Sequence, residues 1–551
     1  MKKNIVYLPI LFFLVFFSKQ GFAQKDTVFW FSAPETNRYH SQGGYTCEEI
    51  QNGTPVYLHL TTFDEPANVS ISMPANPNFN GGNPLVINIP ANDTHREDLS
   101  SFIDDALVIQ WNSMENKLRW TTSDLVAARP YINRNNKGIK ITSDEMITAY
   151  YEIGVQYNME LISLKGNNAL GKQFYVPFQN TNCTRAYYCD YRPYSSIDIV
   201  ATEDNTKILI SPTNSIWVKD GSPISLPAGG TYEIWLDKGE TSIITPYQSN
   251  AGYEYQTSFE EDDRLAGTFV EVDTIDPNSS GAPIAIITHD DVVKSQHSLN
   301  PDYVTDQIVP IDHIGTDYAI IQGIGYDNTE IEDYIYIVGT EPNTNITIKC
   351  DPAGYTETDN IGVGETKTFS MNDPDYKIVS VKSDYPVYVF HMSGAGRQKA
   401  GSLIPTISKC TGSYDVAFNR TKGETYEFYL TILARNAAMS NFSLTKDVPL
   451  TADEQNVLDE INDPTNFNPL PETGAPYDEW KYARFNANAL SKDTAFLLSN
   501  DVELFHLGVI NGHTEEDAFY GYFSNYNVME GSGMVSAEGG SIGIVCPGDT
   551  A

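Results

Sequence analysis

The sequence predicts an all-β protein built from about four repeated antiparallel β-sandwich-like units packed together, with a propeller-like ring of the same units as the alternative. Three observations carry this. Apolar and polar residues alternate through many short stretches bounded by Gly, Pro, Asn and Asp, while helical spacing is nearly absent. Residues 197–210 (IDIVATEDNTKILI) and 335–348 (IYIVGTEPNTNITI) are identical at nine of fourteen positions, at an offset of 138. Residues 58–71 form a looser third copy around Thr-Phe-Asp-Glu-Pro-Ala-Asn.

In chain order, the first element is a leader over 1–23. Lys2 and Lys3 precede an apolar run from Ile5 to Phe17 and a small-residue exit at Gly21-Phe22-Ala23. That is a secretory signal, too short to span as a stable membrane helix. Cleavage leaves Gln24 first, with no cysteine there to carry a lipid, and no later stretch approaches the ~20 apolar residues of a transmembrane helix. At about 100–200 residues per domain the rest suggests three to five units. Opening strands at 27–32, 174–178, 318–321 and 414–418 divide it into 24–165, 166–305, 306–405 and 406–530. In the repeat, Ile197, Ile199, Ile208 and Ile210 turn to one face and Glu-Asp-Asn-Thr reads as a hairpin turn. A second recurring element, Ser143-Asp144, Ser383-Asp384 and Ser499-Asn500, reads as a strand end that reverses into another strand. The fourth unit carries an insertion near 449–475 in which Thr451 can cap a short acidic helix. The Gly- and Ser-rich stretch 531–551 reads as a linker or the start of a further module.

The formal charge is −37, and loss of the leader removes three lysines and no acid. A field of this sign repels nucleic acid and anionic lipid, so neither nucleic-acid binding nor membrane insertion is expected. Six cysteines in an exported chain point to disulfides. Cys183 and Cys189, which close a small loop, are the favoured pair, and the other connectivities stay open.

At 197–206, at 305–318 (TDQIVPIDHIGTDY), at 26–35 (DTVFWFSAPE) and at Asn167-Asn-Ala-Leu-Gly171 leading into Phe174-Tyr-Val-Pro, the sequence resembles a known family. It is the family named for the N-terminal region of the IgG Fc-binding mucus protein. The chain is more similar to its bacterial branch, which is associated with surface modules of gliding or secretion-system export. The resemblance covers most of 26–525 and implies protein or glycan binding, without supplying ligand-contacting residues.

Several motifs invite chemistry. Residues 166–173 (GNNALGKQ) approach a phosphate-binding loop, but a strand-like run follows where the helix should start. Gly539-Gly-Ser541-Ile-Gly543 matches a nucleophile elbow with too little chain after it for an acid and a histidine. His289, His391 and His506 fall near one another in register and would form a metal or acid-base site if they converged. Acidic turns at 203–205, 260–263 and 289–291 offer oxygens to calcium but lack EF-hand spacing. No cofactor is required, and calcium stays unsupported. The loop holding Tyr187, Tyr188, Tyr191 and Arg192 has the composition of a recognition surface. The reading is therefore a secreted or cell-surface adhesion module that recognises protein or glycan without catalysis. A structural part of a surface, secretion or gliding assembly is the alternative. An extracellular carbohydrate hydrolase, with two carboxylates facing across a cleft, is the third.

Overall fold

The structure, a computed structural model, describes residues 24–34, 56–102, 135–153, 159–179, 195–217, 223–224, 230–244, 264–293, 302–324, 333–351, 354–395, 398–408, 411–420, 427–513, 518–524, 526, 534–536 and 542–544. Antiparallel strands dominate it, as the alternation predicts.

The third unit contains the strands Gly315–Ile321, Tyr334–Gly339, Thr344–Asp351, Tyr355–Ile361, Thr366–Ser370, Ile378–Ser393 and Ala400–Leu403. The 16-residue strand Ile378–Ser393 belongs to two sheets. Its first half lies between Gly315–Ile321 and Thr344–Asp351, its second between Tyr334–Gly339 and Ala400–Leu403. Tyr355–Ile361 and Thr366–Ser370 extend the two sheets outward. The strand bends between its halves, so the sheets face each other. Val379 and Val381 from one half and Val387 and Val389 from the other share a core with Ile335, Ile337, Ile346 and Ile348.

A polar clasp holds the bend. Asp384 accepts the backbone N–H of Asn345 at 2.8 Å and its Nδ2–H at 2.7 Å, and these bonds keep its carboxyl below the usual range. The first unit repeats the arrangement on Gly138–Ile153, with Asn68 clasping Asp144 at 2.7 and 2.6 Å. Here the structure corrects the sequence reading: at Ser143-Asp144 and Ser383-Asp384 the chain crosses to the other sheet within one strand and does not reverse. The strand is interrupted only in the other two units. Residues 273–283 separate Phe269–Val272 from Ile284–Val293, and residues 501–504 separate Thr494–Asn500 from Phe505–Gly512.

The repeated turn is likewise not a hairpin. Ser195–Ala201 does not pair with Thr206–Ser211, nor Tyr334–Gly339 with Thr344–Asp351. Each turn arches over the core, so its isoleucines meet from opposite sheets. Asn205 and Asn343 adopt φ of 55° and 59°, which Asn tolerates better than most residues. The Thr206 and Thr344 hydroxyls donate to the Glu203 and Glu341 carbonyls at 2.7 and 2.8 Å. Those of Thr202 and Thr340 donate to the carbonyls of Pro283 and Pro386, each at 2.6 Å. In the fourth unit the helix Ala452–Ile461 follows Phe442–Thr445, and Thr451 and Glu454 close a capping box at its start. Val457 and Ile461 enter that unit's core.

The units form a ring. The final strands Glu160–Ser163, Asp302–Gln307, Ala400–Leu403 and Ala518–Tyr522 touch in succession, and the last touches the first. Beside them, the inner half of each long strand is buried on both faces because alternate side chains enter two cores. Val387 and Val389 fill the third unit's own core, whereas Tyr388 and Phe390 fill that of the second. In the same way Ile287 enters the first unit's core, Ile510 the third's and Tyr150 the fourth's. Sandwich-like units and a ring, weighed as alternatives on the sequence, are thus combined. Gln24 donates to the Tyr522 carbonyl at 2.8 Å, Lys25 pairs with Asp415 at 3.1 Å and the Tyr150 hydroxyl donates to the Ala417 carbonyl at 2.6 Å, joining the first unit to the fourth. Near the final strands Lys165 Nζ meets Asp306 Oδ1 at 2.6 Å. Burial lowers the lysine and raises the aspartate from their usual ranges.

Phe390, stacked on Phe178 at 4.5 Å, tests the shared core. Phe390→Ala should cost about 3–5 kcal/mol in urea denaturation and reduce amide protection in both the second and third units. Glu454 gives a pH signature. Burial alone would raise its carboxyl, but bonds from Lys446, Ser491 and Thr451 outweigh it and set it at about 2. A depressed folded value means the stabilisation is complete above the unfolded value of about 4.3 and fades as pH falls toward the folded one. The difference in thermal midpoint between the wild type and Glu454→Ala should therefore narrow over that window.

Candidate functional site

Tyr187, Tyr188, Tyr191, Arg192, Cys183 and Cys189 lie outside the described residues, but the ends that anchor their segment are placed. Tyr175 sits against Phe269 and Ser195 against Asp290, at the two ends of the interrupted long strand. The corresponding connections leave from the same points in every unit: Ser32 and Val56 face Gly138 and Ile153, Ile321 and Tyr334 face Ile378 and Met392, and Arg420 and Glu427 face Thr494 and Gly512. All four connections spring from the end of the sandwich opposite the bend. Around the ring an anchor of one unit meets the turn end of the next, as where the Gly138 N–H donates to the Gly239 carbonyl at 3.0 Å.

A cleft of about 300 Å³ opens between the first and fourth units. Strand alternation builds it. In Asp415–Arg420, Val416 and Phe418 enter the unit's core, which leaves Ala417 and Asn419 on the face toward the first unit. Opposite, Val56, Leu58 and Leu60 enter the first unit's core and leave His59 facing out, paired across strands with Arg96. His59 Nε2 lies 2.5 Å from Glu152 Oε2, Arg96 reaches the other carboxylate oxygen at 3.5 Å, and its guanidinium lies 3.5 Å over the Tyr57 ring. Arg420 donates to the carbonyls of Asn488 and Leu490, and burial lowers its pKa. Both amide atoms of Asn419 are buried without a hydrogen-bond partner, an arrangement that costs about 1–3 kcal/mol. The threonine hydroxyls of the cleft are already engaged: Thr94 with Thr61 at 2.7 Å, Thr494 with the Lys492 carbonyl at 2.8 Å. The walls offer donors and acceptors, and no hydroxyl here is bonded to an imidazole as a nucleophile would be.

The sequence profile of the family described as IgGFc binding protein matches residues 162–499, more than half of the chain. The chain belongs to the IgGFc binding protein family. The match runs from the final strand of the first unit through the second and third and ends in the strand Thr494–Asn500 of the fourth. Comparison with curated proteins finds no match. Among solved structures, the major pilin of Streptococcus pyogenes is similar at 9% identity over 64% of this chain and 98% of its own, with a TM-score of 0.14. A tetra-tandem repeat from the extending region of a large adhesion protein is similar at 9% identity over 86% and 96%, with a TM-score of 0.08. Likeness at these scores carries no argument.

In this IgGFc binding family member the remaining sequence candidates serve the fold. The phosphate-loop-like stretch forms the turn Gly166–Ala169 and runs into the strand Gln173–Tyr175. Asn167 gives its backbone N–H and its Nδ2–H to Asp26, at 2.7 and 3.0 Å, so the loop holds the protein's own carboxylate. The three histidines do not share a ligand set. His391 meets Asp333 at 3.1 Å and Tyr520 at 2.8 Å. His506 meets Ser524 at 2.8 Å and stacks on Trp480, and burial lowers it to about 3. His289 lies beside Tyr303. They are also out of step: His289 pairs with Ser196 and His391 with Ile335, whereas the repeat aligns Ser196 with Tyr334. Of the acidic turns, Glu203 pairs with Lys238 at 3.0 Å, Asp204 accepts the Lys238 N–H at 3.0 Å and Asp290 accepts the Ser195 hydroxyl. Residues 260–263 lie outside the described residues. Among the described residues no group of three or more His, Cys, Asp or Glu is placed to hold a metal, and no helix is long and apolar enough to cross a membrane. Cys350 is buried, and burial first of all pushes its thiol up to about 12.

The buried acid behind the cleft gives a stability test. Glu152→Ala strips His59 of its carboxylate partner and should lower stability by about 1–3 kcal/mol in urea denaturation.

Proposed function

We propose that the chain is a secreted or cell-surface adhesion module that recognises protein or glycan by non-covalent contact. Family membership over 162–499 supports a binding role. The observation that carries the rest is the four topologically equivalent connections of a ring whose strands are held by two cores at once. The connection with Tyr187, Tyr188, Tyr191 and Arg192 is the proposed contact, with Cys183 and Cys189 pinning it. Tyrosine and arginine there would supply large contact area and directed hydrogen bonds. The leader over 1–23 supports export, and the acidic surface favours basic or neutral partners over nucleic acid.

The mature chain, with and without chelator, should bind immunoglobulin or mucin saturably, as read by surface plasmon resonance. Tyr188→Ala/Arg192→Ala should weaken that binding by at least about tenfold. Binding that the double variant leaves unchanged would remove the loop from the interface, and a loss with chelator would bring calcium in. Release of reducing sugar from a glycan during the assay would replace the reading with a hydrolase.

A further inference from the structure

We propose that Asp198 makes the seam between the first and second units sensitive to pH, closed while its carboxyl carries a proton and loosened once the proton leaves. The strand Ser195–Ala201 turns Ile197, Ile199 and Ala201 into the second unit's core, so that Asp198 and Val200 point toward the first unit. Val200 meets Trp30 of the first unit there. Ile287, cross-strand from Asp198, enters the first unit's core, and Ile243 on the other side is buried as well. Asp198 itself is completely buried. Its Oδ2 has the Ser196 hydroxyl at 2.7 Å, and its Oδ1 has no hydrogen-bond partner among the described residues. The repeat shows what else can stand at this position. At the offset of 138 it is Tyr336, which enters the second unit's core from the third and lies edge-on to Phe178. In the looser copy over 58–71 it is His59, which has Glu152 as its partner. Between the first and second units the same position holds an acid with a single hydroxyl.

The elements packed around Asp198 bring other titratable groups, each engaged elsewhere. Thr241–Ile244 carries none. On Asp26–Ser32, Asp26 is held by Asn167. Lys140 of the first unit lies 5.2 Å over the Trp30 ring. On Ile284–Val293, His289 stands one pair further along the same face and lies beside Tyr303, while Asp290 on the opposite face accepts the Ser195 hydroxyl. Ionised, Asp198 buries a charge with one hydroxyl donor. Protonated, it gives its O–H to the Ser196 oxygen and leaves a carbonyl oxygen, whose burial costs far less. Burial raises the carboxyl to about 7, with the Ser196 bond pulling the other way. A folded value above the unfolded one of about 3.9 means that this contribution to stability is complete below the unfolded value and is lost as pH rises through the folded one. Parting the two units lets water reach the carboxylate and relieves the cost.

The test uses the mature chain and compares urea unfolding of the wild type, Asp198→Asn and Asp198→Val across the acid-to-alkaline range. Relative to either variant, the wild type's unfolding constant should rise by up to about tenfold per pH unit between about 4 and 7 and stay level above. Amide exchange, corrected for its intrinsic rate, should show where. In the wild type, residues 26–32, 195–201 and 284–290 should lose protection at about pH 8 relative to about pH 6, and in Asp198→Asn they should not. Parallel pH profiles of wild type and variants would overturn the proposal. A difference that shrinks as pH rises would overturn it too, being the mark of a carboxylate stabilised by the fold. Loss of protection spread evenly over the four units, or absent from these three strands, would place the effect away from the seam and count equally against it. If one variant does not fold, the other serves for comparison, and the exchange of the wild type at the two pH values needs neither.

Discussion

In the inner half of each long strand, neighbouring side chains point into different cores: Val389 into the third unit's own, Phe390 into that of the second. A strand used this way must be apolar on both faces, and its backbone is covered by paired strands on both sides. The ring follows from it. Each unit completes its core with residues of the next, down to the fourth, which is completed by Tyr150, Met159 and Leu161 of the first. Such units are not beads on a string, because a single one would expose the face its neighbour supplies.

The seam between the first and fourth units differs in chemistry from that between the second and third. Between the second and third units, Phe178, Tyr336 and Phe390 pack ring on ring. At the seam the inner contact is also aromatic, with Tyr150 edge-on to Phe523 at 4.9 Å, but outward along the same strands it turns polar at Asn419, His59 and Arg96. The apolar inner contact holds the two units together and leaves the outer part free to stay open.

How far this was legible in the sequence depends on range. The helix at Ala452–Ile461 was readable because its signal is local: Thr451 and Glu454 are three residues apart and cap each other. The all-β class and the repetition were readable from alternation and from the Thr-Glu-x-Asn-Thr turns. Whether such a turn makes a hairpin or an arch was not, since alternation is the same in both and only the pairing partner separates them. The clasps were hidden for the same reason, Asn68 and Asp144 being 76 positions apart. The candidate site lies furthest from local signals. Asn419 and Arg420 merely end an apolar strand, and His59 and Arg96, which face them, come from the other end of the chain. The histidines show the reverse error: nearness in register placed side by side residues that the strand pairing sets on opposite faces.

The most direct measurement of the closed ring is equilibrium unfolding followed separately at its two ends. Trp30 of the first unit is buried against Val200 and Ala285 of the second, and Trp480 of the fourth against Ile321 and Ile378 of the third, so two single-tryptophan variants, each keeping one of them, report on contacts on either side of the seam. Cores shared around a closed ring predict coincident denaturant midpoints and equal slopes at the two probes. Two separated transitions, with one end melting while the other stays folded, would contradict it.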